Sequence, residues 1–112
     1  MSLRRPSALR GGLAGLVLWL ALGAGAGAAP AVHTVTIEGF EFRPALVTVR
    51  QGDIVVWRNN DLLPHTATAG DGELDSGSIA AGASFRFTAT KKGRFAYICS
   101  FHPTMKGTLV VD

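Results

Sequence analysis

Short segments in which apolar and polar residues alternate, separated by turns that contain glycine, run through the chain after residue 30. The clearest of them are VHTVTIE (32–38), SFRFTAT (84–90) and RFAYIC (94–99). In a β-strand successive side chains point to opposite faces, so this period of two predicts strands with one buried face. No segment of ten or more residues after residue 30 has the period of an amphipathic helix. The pattern therefore predicts an all-β fold.

The pattern in the middle of the chain indicates which strand lies at the centre of the fold. The stretch ALVTVRQGDIVVWRNND, residues 45–61, indicates two strands joined by a turn at Gln51–Gly52–Asp53. The second strand has apolar residues on both faces, as a central strand does, and it contains Trp57, which we expect in the core. With about seven short strands and glycine turns in one small domain, the sequence predicts an antiparallel β-sandwich.

The first 29 residues differ in composition from the rest. An uncharged run, GGLAGLVLWLALGAGAGAA, follows three arginines, Arg4, Arg5 and Arg10. Positive charge, then leucine-rich sequence, then small residues is the order typical of a secretory signal peptide. The alternative is an uncut membrane anchor, for which the apolar run is short and rich in glycine. We predict a signal peptide over 1–29, removed after export by the general or the twin-arginine route, and a mature domain over 30–112.

Removal of the signal peptide changes the charge balance. The whole chain has 11 Lys and Arg against 8 Asp and Glu, a net charge of +3. Three of these bases and none of the acids lie in 1–29, so the mature domain has 8 of each and is neutral. A neutral domain without a basic face does not predict nucleic-acid binding. The cluster Lys91, Lys92 and Arg94 has two interpretations, a solvated turn or a patch for a protein partner.

One stretch near the end of the chain contains the only cysteine. CSFHPTM, residues 99–105, places Cys99, His102 and Met105 at intervals of three. A lone cysteine in an exported domain has no intramolecular disulfide partner, so it is a buried thiol, an intermolecular bridge or a metal ligand. Loops that a rigid sandwich holds are where binding sites are commonly built.

A further ligand would come from one of the two remaining histidines. His65 follows Pro64 at the end of the loop after the central strand, and we predict that it begins another short strand. His33 lies close to the predicted cleavage site, where chain ends fray. We interpret His33 as a solvated strand residue rather than a ligand. The candidate metal ligands are therefore His65, Cys99, His102 and Met105.

The chemistry of this donor set narrows the choice of metal. Thiolate and thioether are soft ligands that suit copper(I), and a His₂Cys set with a long axial methionine is typical of blue-copper electron-transfer sites. Structural zinc usually takes more cysteines, and catalytic zinc rarely takes methionine. Two other readings stay open at this point. Cysteine and methionine can simply fill the core, and Cys99 and His102 can form a nucleophilic pair.

The mature chain resembles the cupredoxins, the blue copper family of plastocyanin, pseudoazurin and amicyanin. The likeness is carried by FEFRPALVTVRQGDIVVWRNNDLLPHTAT (40–68) and GRFAYICSFHPTMKGTLVV (93–111). The resemblance implies a Greek-key β-sandwich with a single type 1 copper at one end. Carried over position by position, it implies His65, Cys99 and His102 as equatorial ligands and Met105 as the axial ligand.

The chain departs from the family pattern at two positions. Thr66 stands where the family usually has asparagine, whose backbone N–H points at the cysteine sulfur and whose side chain ties to the next residue after the cysteine. We expect a contact between the Thr66 and Ser100 hydroxyls to replace that tie, because hydrogen bonds around the ligands tune a bound metal. Phe101 replaces the proline that amicyanin has before the loop histidine, which leaves the loop less fixed in φ.

The resemblance implies an electron carrier rather than an enzyme. We expect a periplasmic monomer whose copper alternates between Cu(II) and Cu(I), with redox proteins as donor and acceptor that dock transiently around His102. The alternative is a periplasmic protein that binds and delivers copper. An apolar collar around His102 would favour brief docking over tight complexes. Its predicted members are Leu62, Leu63, Pro64, Phe101 and Pro103.

Overall fold

The structure, a computed structural model, describes residues 29–112. Eight β-strands lie in this part of the chain, and it contains no helix. In chain order the strands are β1 (Val32–Glu38), β2 (Glu41–Arg43), β3 (Leu46–Val49), β4 (Ile54–Asn59), β5 (Thr68–Ala69), β6 (Ser84–Thr88), β7 (Gly93–Ile98) and β8 (Lys106–Val111). The described residues include no helix with the length and apolar character needed to cross a membrane. The predicted signal peptide lies outside them, except for Ala29.

The strands form two four-stranded sheets with one core between them. One sheet has the order β2-β1-β4-β6 and the other the order β3-β8-β7-β5. This arrangement confirms the predicted all-β sandwich. Two pairs, β1 with β4 and β3 with β8, run parallel, so both sheets are mixed and not purely antiparallel. Alternation identifies the buried face of a strand but carries no information on the direction of its neighbour, and parallel neighbours require only a long crossover connection.

The core consists of side chains at the alternating positions. Val35 and Ile37 of β1 and Val55 and Trp57 of β4 are fully buried, and β4 lies between β1 and β6 as a central strand. The Trp57 ring packs at right angles to that of Tyr97 on β7, with the ring centroids 5.4 Å apart. Burying an apolar side chain of this size stabilises the fold by about 1.5–3 kcal/mol relative to exposing it. Contacts between the sheets therefore hold the ends of β4 and β7 in fixed positions.

Close packing at β7 depends on a glycine of the neighbouring strand. A Cβ atom at Gly107 of β8 would collide with the ring of Tyr97, its partner in the β7–β8 pair. Burial of Tyr97 raises the pKa of its hydroxyl to about 12. Because Tyr97 and Cys99 point to the same face of the sheet, the space at Gly107 helps to fix the strand end from which Cys99 projects.

The strand directions divide the loops between two ends of the sandwich. At the first, which we call the site end, β1, β4 and β7 finish and β8 begins. It contains the loops at residues 39–40, 60–66 and 99–105. The opposite end, which we call the far end, contains residues 29–31, 50–53, 89–92 and 112. All four candidate ligands lie at the site end, although His65 is separated from Cys99 by 34 residues in sequence.

Candidate metal centre

The segment from Cys99 to Met105 forms a compact loop between β7 and β8. Three backbone hydrogen bonds close it: His102 N–H to the Cys99 carbonyl (3.2 Å), Met105 N–H to the His102 carbonyl (2.9 Å) and Cys99 N–H to the Met105 carbonyl (3.2 Å). The intervals of three residues in the sequence are the intervals of these turns. Main-chain hydrogen bonds therefore hold the backbones of Cys99, His102 and Met105 close together.

His65 reaches the same place from the other side of the sandwich. Its backbone makes an isolated bridge with Ile79, in which His65 N–H donates at 3.1 Å and Ile79 N–H donates back at 2.7 Å. We expected His65 to begin a strand, whereas the strand β5 begins only at Thr68. The bridge nevertheless fixes the backbone of His65, and its side chain is fully buried.

The side chains of His65, Cys99 and His102 converge at the site end. Their potential ligand atoms all lie within 4.8 Å of one another. Cys99 Sγ lies 3.7 Å from Nδ1 of His65 and 3.8 Å from Nδ1 of His102. Both imidazoles thus present the same kind of nitrogen to one sulfur. Cys99 is fully buried and His102 is partly exposed, so the group connects the core to the surface.

Met105 completes the candidate set at the start of β8. Its side chain is buried with 3% exposure, and its backbone is bonded to both Cys99 and His102. It also lines a surface cleft together with Phe40 and Thr104. A buried methionine whose backbone is hydrogen-bonded to Cys99 and His102 is a candidate to offer its thioether to the same centre.

Thr66 makes a hydrogen bond to the sulfur and another to the residue after Cys99. Its backbone N–H donates to Cys99 Sγ at 3.3 Å, as the family resemblance implied. Its hydroxyl oxygen accepts the Ser100 backbone N–H at 2.7 Å, whereas we expected a contact between the two hydroxyls. The Ser100 hydroxyl donates instead to Thr68 Oγ1, at 3.2 Å. The short threonine side chain is within reach of the Ser100 main chain. The two loops are therefore still joined through Ser100, by its backbone N–H rather than by its hydroxyl.

Asp61 fixes the orientation of the His65 ring. Its Oδ2 lies 2.9 Å from His65 Nε2, and its carboxylate also accepts the backbone N–H groups of Gly39 and Phe40. Burial opposes ionisation, but the bonds from Phe40, Gly39 and His65 outweigh it and lower the pKa of Asp61. An ionised carboxylate only accepts hydrogen bonds, so His65 Nε2 carries the proton. The lone pair of Nδ1 then faces Cys99, where a metal would use it.

Asn59, at the end of β4, holds the loop that carries Asp61 and His65. It is fully buried, and its Nδ2 donates to the carbonyls of Leu63 (2.8 Å) and Ile79 (2.9 Å). Its Oδ1 accepts the Asp61 N–H at 2.9 Å. Both N–H donors and the oxygen of this amide are therefore engaged, with Leu63, Ile79 and Asp61. The sequence offered only a weak signal for it, since NND reads as an ordinary polar loop.

Phe40 lies against both candidate histidine ligands, although no pattern in the sequence assigns it to the site. Its ring centroid is 5.0 Å from that of His65 and 4.7 Å from that of His102, with edge-on geometry in both cases. Phe40 has a φ of +60°, in the left-handed region that bulky residues seldom enter. Such a conformation costs about 1–3 kcal/mol and persists only where surrounding contacts enforce it.

His33 is remote from this group. It belongs to β1 near the far end, where its Nε2 lies 3.0 Å from Asp53 Oδ2. Its side chain is 30% exposed, so it is less solvated than the sequence indicated. Among residues 29–112, the one group of three or more side chains of metal-binding type comprises His65, Cys99 and His102.

The donor set tests which metal would fit. Two imidazole nitrogens and a buried cysteine sulfur converge, and a methionine is buried next to them. The Thr66 N–H is directed at the sulfur, where it can donate to a metal-bound thiolate. One cysteine is too few for the usual structural zinc site, while His₂Cys with methionine is the set typical of copper. The residues present therefore fit copper.

A small β-sandwich with a His₂Cys group and a buried methionine at one end defines a class of metal-binding β-proteins. The family model for the cupredoxin-like domain matches residues 12–111. The amicyanin-alpha of Methylorubrum extorquens is 31% identical over 90 residues, which cover 75% of this chain and 76% of the relative. The chain belongs to the cupredoxin-like family.

Other similar proteins agree in fold. A methionine-to-alanine variant of amicyanin in its Cu(I) form has a TM-score of 0.67 and 26% identity, covering 80% of this chain and 88% of its own. A copper-containing nitrite reductase of Thermus scotoductus has a TM-score of 0.69 and 30% identity, covering 74% of this chain but 23% of that one. The chain covers 63% of the length of the amicyanins of Paracoccus versutus and Paracoccus denitrificans, which is less than two thirds.

Proposed function

We propose that this protein is an exported type 1 copper protein that carries single electrons between redox partners. His65, Cys99, His102 and Met105 would hold a single copper. Bound there, copper would supply the redox chemistry, in which Cu(II) is reduced by one electron from a donor protein and Cu(I) is reoxidised by an acceptor protein. Because thiolate, thioether and imidazole suit both oxidation states, little has to rearrange with each electron.

The observation that carries this proposal is the convergence of His65, Cys99 and His102. Three potential ligand atoms within 4.8 Å come from two distant segments of the chain, and Thr66 N–H is directed at the sulfur. Asp61 supports a metal-binding role for His65 because it leaves Nδ1 free to bind. Four side-chain donors would leave no coordination position for a substrate, so we propose no catalytic activity for the domain.

Partner docking around His102 is supported by the exposure of apolar residues near it. Leu62 is 93% exposed, Leu63 48% and Phe101 51%, and Pro64 and Pro103 are also exposed. Phe40, at 43% exposed, extends the predicted collar. Isolated apolar residues of this kind favour short-lived contacts, as electron exchange requires. We propose that electrons enter or leave at the exposed side of His102 and that the protein acts as a monomer.

The proposed location and domain limits rest on the N-terminal composition. The apolar run after the three arginines supports export to the periplasm with removal of residues 1–29. The remaining domain, 30–112, then contains all eight strands. Mass spectrometry of the protein purified from its native host tests this part, because a mature N-terminus near residue 30 is expected. An intact N-terminus would contradict cleavage.

Redox cycling separates electron transfer from copper delivery. The protein is loaded with Cu(II), reduced with ascorbate and reoxidised with ferricyanide, while copper content is followed with a Cu(I) chelator. We expect repeated bleaching and return of colour with the copper retained. Loss of the copper to the chelator on reduction, without recovery of colour, would support delivery instead. The Cys99→Ser variant is the control, because it lacks the thiolate that gives the colour.

A further inference from the structure

One carboxylate at the site end joins two segments that are distant in sequence. Asp61 accepts the Gly39 N–H on Oδ1 at 2.7 Å and the Phe40 N–H on Oδ2 at 2.9 Å. The same Oδ2 accepts from His65 Nε2 at 2.9 Å. The turn after β1 and the first histidine of the metal centre are therefore fixed by a single side chain. If either of them moves, the carboxylate loses a partner.

The conformation of the turn is determined by these bonds. Gly39 has φ +62° and Phe40 has φ +60°, so two successive residues are left-handed. Glycine adopts this conformation freely, but a phenylalanine does so only where its surroundings enforce it. The Asp61 carboxylate receives both N–H groups that this conformation directs toward it. An observed outlier of this kind is a reason to ask what its side chain does.

The Phe40 side chain contacts both imidazoles. The two imidazole centroids are 5.2 Å apart, and the edge-on Phe40 ring approaches His65 at 5.0 Å and His102 at 4.7 Å. Edge-to-face contacts at these distances are favourable beyond simple burial. Phe40 thus covers the side of the pair of imidazoles that faces the turn.

The two imidazoles are held in different ways. His65 is fully buried, and Asp61 fixes its Nε2. His102 is partly exposed, and among residues 29–112 the one hydrogen-bonding contact of its ring nitrogens is with Cys99 Sγ, at 3.8 Å. The orientation of His65 is fixed by a hydrogen bond. The orientation of His102 depends instead on aromatic contacts with Phe40 and His65.

We propose that Asp61 and Phe40 are positioning residues of the metal centre. Asp61 fixes the proton of His65 on Nε2 and fixes the turn of Phe40, and Phe40 holds His102 in the orientation that binds metal. The inference rests on the proposed role of His65 and His102 as ligands, but it requires no particular redox partner. One carboxylate would thereby control both histidines, one directly and one through an aromatic ring.

An Asp61→Asn variant tests the first half. Asparagine has the same size but only one acceptor atom, so an NH₂ group in the place of Oδ2 would face both the Phe40 N–H and the His65 Nε2–H, and in the place of Oδ1 it would face the Gly39 N–H. We expect Cu(I) affinity, measured by competition with a chelator at fixed pH, to fall by about 10- to 100-fold. We also expect ¹⁵N NMR of the metal-free protein to detect protonated Nδ1 in His65, whereas the parent protein has protonated Nε2.

Asp53→Asn is the matched control. Asp53 makes the same kinds of bond at the far end, to two backbone N–H groups and to His33 Nε2. Both variants should lose thermal stability, but only Asp61→Asn should lower copper affinity and change the His65 tautomer. Equal affinities in the two variants, with the His65 tautomer unchanged, would overturn the role of Asp61.

A Phe40→Leu variant tests the second half, with Phe87→Leu as its control. Phe87 is a partly buried phenylalanine of β6 that packs against Trp57, away from the ligands. We expect the rate of Cu(I) release to the chelator to rise roughly 2- to 10-fold in Phe40→Leu, as the loss of edge-on contacts implies. Phe87→Leu should leave the rate unchanged, and Phe40→Tyr should restore it. Release from Phe40→Leu at the parent rate would overturn the role of Phe40.

The tests of Asp61 and Phe40 can be decided separately from the proposed electron-transfer function. A parent protein that binds copper without redox cycling would contradict electron transfer, yet the affinities and release rates would still decide the positioning roles. If the parent bound no copper, the proposed function would fail. The His65 tautomer in Asp61→Asn and the mobility of the His102 ring in Phe40→Leu, both measured by NMR without metal, would then decide the inference.

Discussion

An aspartate paired with a histidine closes each end of the sandwich, and the two pairs are built alike. At the far end, Asp53 accepts the N–H groups of Ala31 and Arg50, and its Oδ2 lies 3.0 Å from His33 Nε2. Asp61 makes bonds of the same kinds at the site end. In both cases the bonds lower the pKa of the aspartate.

The pairs differ in what lies around the histidine. The His33 side chain is 30% exposed, while that of His65 is fully buried. Nδ1 of His65 faces Cys99 Sγ at 3.7 Å, and His102 Nδ1 faces the same sulfur at 3.8 Å. His33 belongs to no such group among the described residues. The same Asp–His geometry therefore occurs at a strand end and beside a candidate metal ligand. The two pairs differ in whether other metal-binding groups face the second ring nitrogen of the histidine.

The largest expected difference between the pairs is in copper binding. His65→Ala should abolish the visible spectrum of the Cu(II) protein, because it removes an equatorial donor. His33→Ala should leave that spectrum unchanged, because the group of donors at the site end is intact. Visible absorption after titration with Cu(II) provides the measurement. A blue His65→Ala protein, or a colourless His33→Ala protein, would show that the ligand role belongs to His33 and not to His65.

The next difference concerns the loop that supports Asp61. Asn59→Ala would remove three hydrogen bonds, to the carbonyls of Leu63 and Ile79 and from the Asp61 N–H, although the Ile79 carbonyl keeps the His65 N–H. A hydrogen bond contributes about 1 kcal/mol to stability, so we expect the free energy of unfolding to fall by about 3 kcal/mol. Urea denaturation of the metal-free protein tests this. Asn60→Ala is the control, since Asn60 is exposed and should change stability by less than about 0.5 kcal/mol.

Low pH should reduce the stability that Asp53 contributes at the far end. The bonds from His33, Arg50 and Ala31 lower the pKa of Asp53 from 3.8 to about 2. A carboxylate with a lowered pKa stabilises the fold above its unfolded pKa, and that contribution is lost as pH falls from about 4 toward 2. Asp53→Asn should therefore be less stable at neutral pH and should lose less stability between pH 5 and pH 2. Parallel pH profiles of melting temperature for the two proteins would contradict this.

The smallest expected effect is at Thr66. Thr66→Val keeps the backbone N–H to Cys99 Sγ but removes the oxygen that accepts from Ser100 N–H. We expect a loss of about 1 kcal/mol in stability and a small shift of the Cu(II) absorption, with the colour retained. Thr66→Ser, which keeps the oxygen, should restore the parent spectrum. Loss of colour in Thr66→Val would mean that the hydroxyl holds the site together rather than tuning it.

Much of the fold was predictable from alternation and turns. The buried positions of β1, β3 and β4 repeat every two residues, and the spacing of Cys99, His102 and Met105 indicated a loop of donors. Strand direction was not predictable in this way. The same set of inward side chains is compatible with parallel or antiparallel neighbours, and the two parallel pairs become visible only in the three-dimensional structure.

The supporting residues of the centre were not predictable for a different reason. Asp61, Asn59 and Phe40 act through contacts between segments that no local pattern connects: Asp61 reaches 22 residues back to Gly39. An aspartate four residues before a histidine is common in loops, and a phenylalanine after Gly39 reads as a core residue. The predicted contact between the hydroxyls of Thr66 and Ser100 was wrong for a similar reason. Side-chain length alone does not determine which atom of Ser100 comes within reach of Thr66.

The central claim is that Cys99, with His65 and His102, holds copper as a thiolate. Titration of the metal-free protein with Cu(II), followed by visible absorption in the parent and in Cys99→Ser, tests it most directly. The parent should become intensely coloured up to one copper per chain and bleach with ascorbate. Cys99→Ser should fold but stay almost colourless. A colourless parent at saturation, or a Cys99→Ser protein with the parent's colour, would contradict the account.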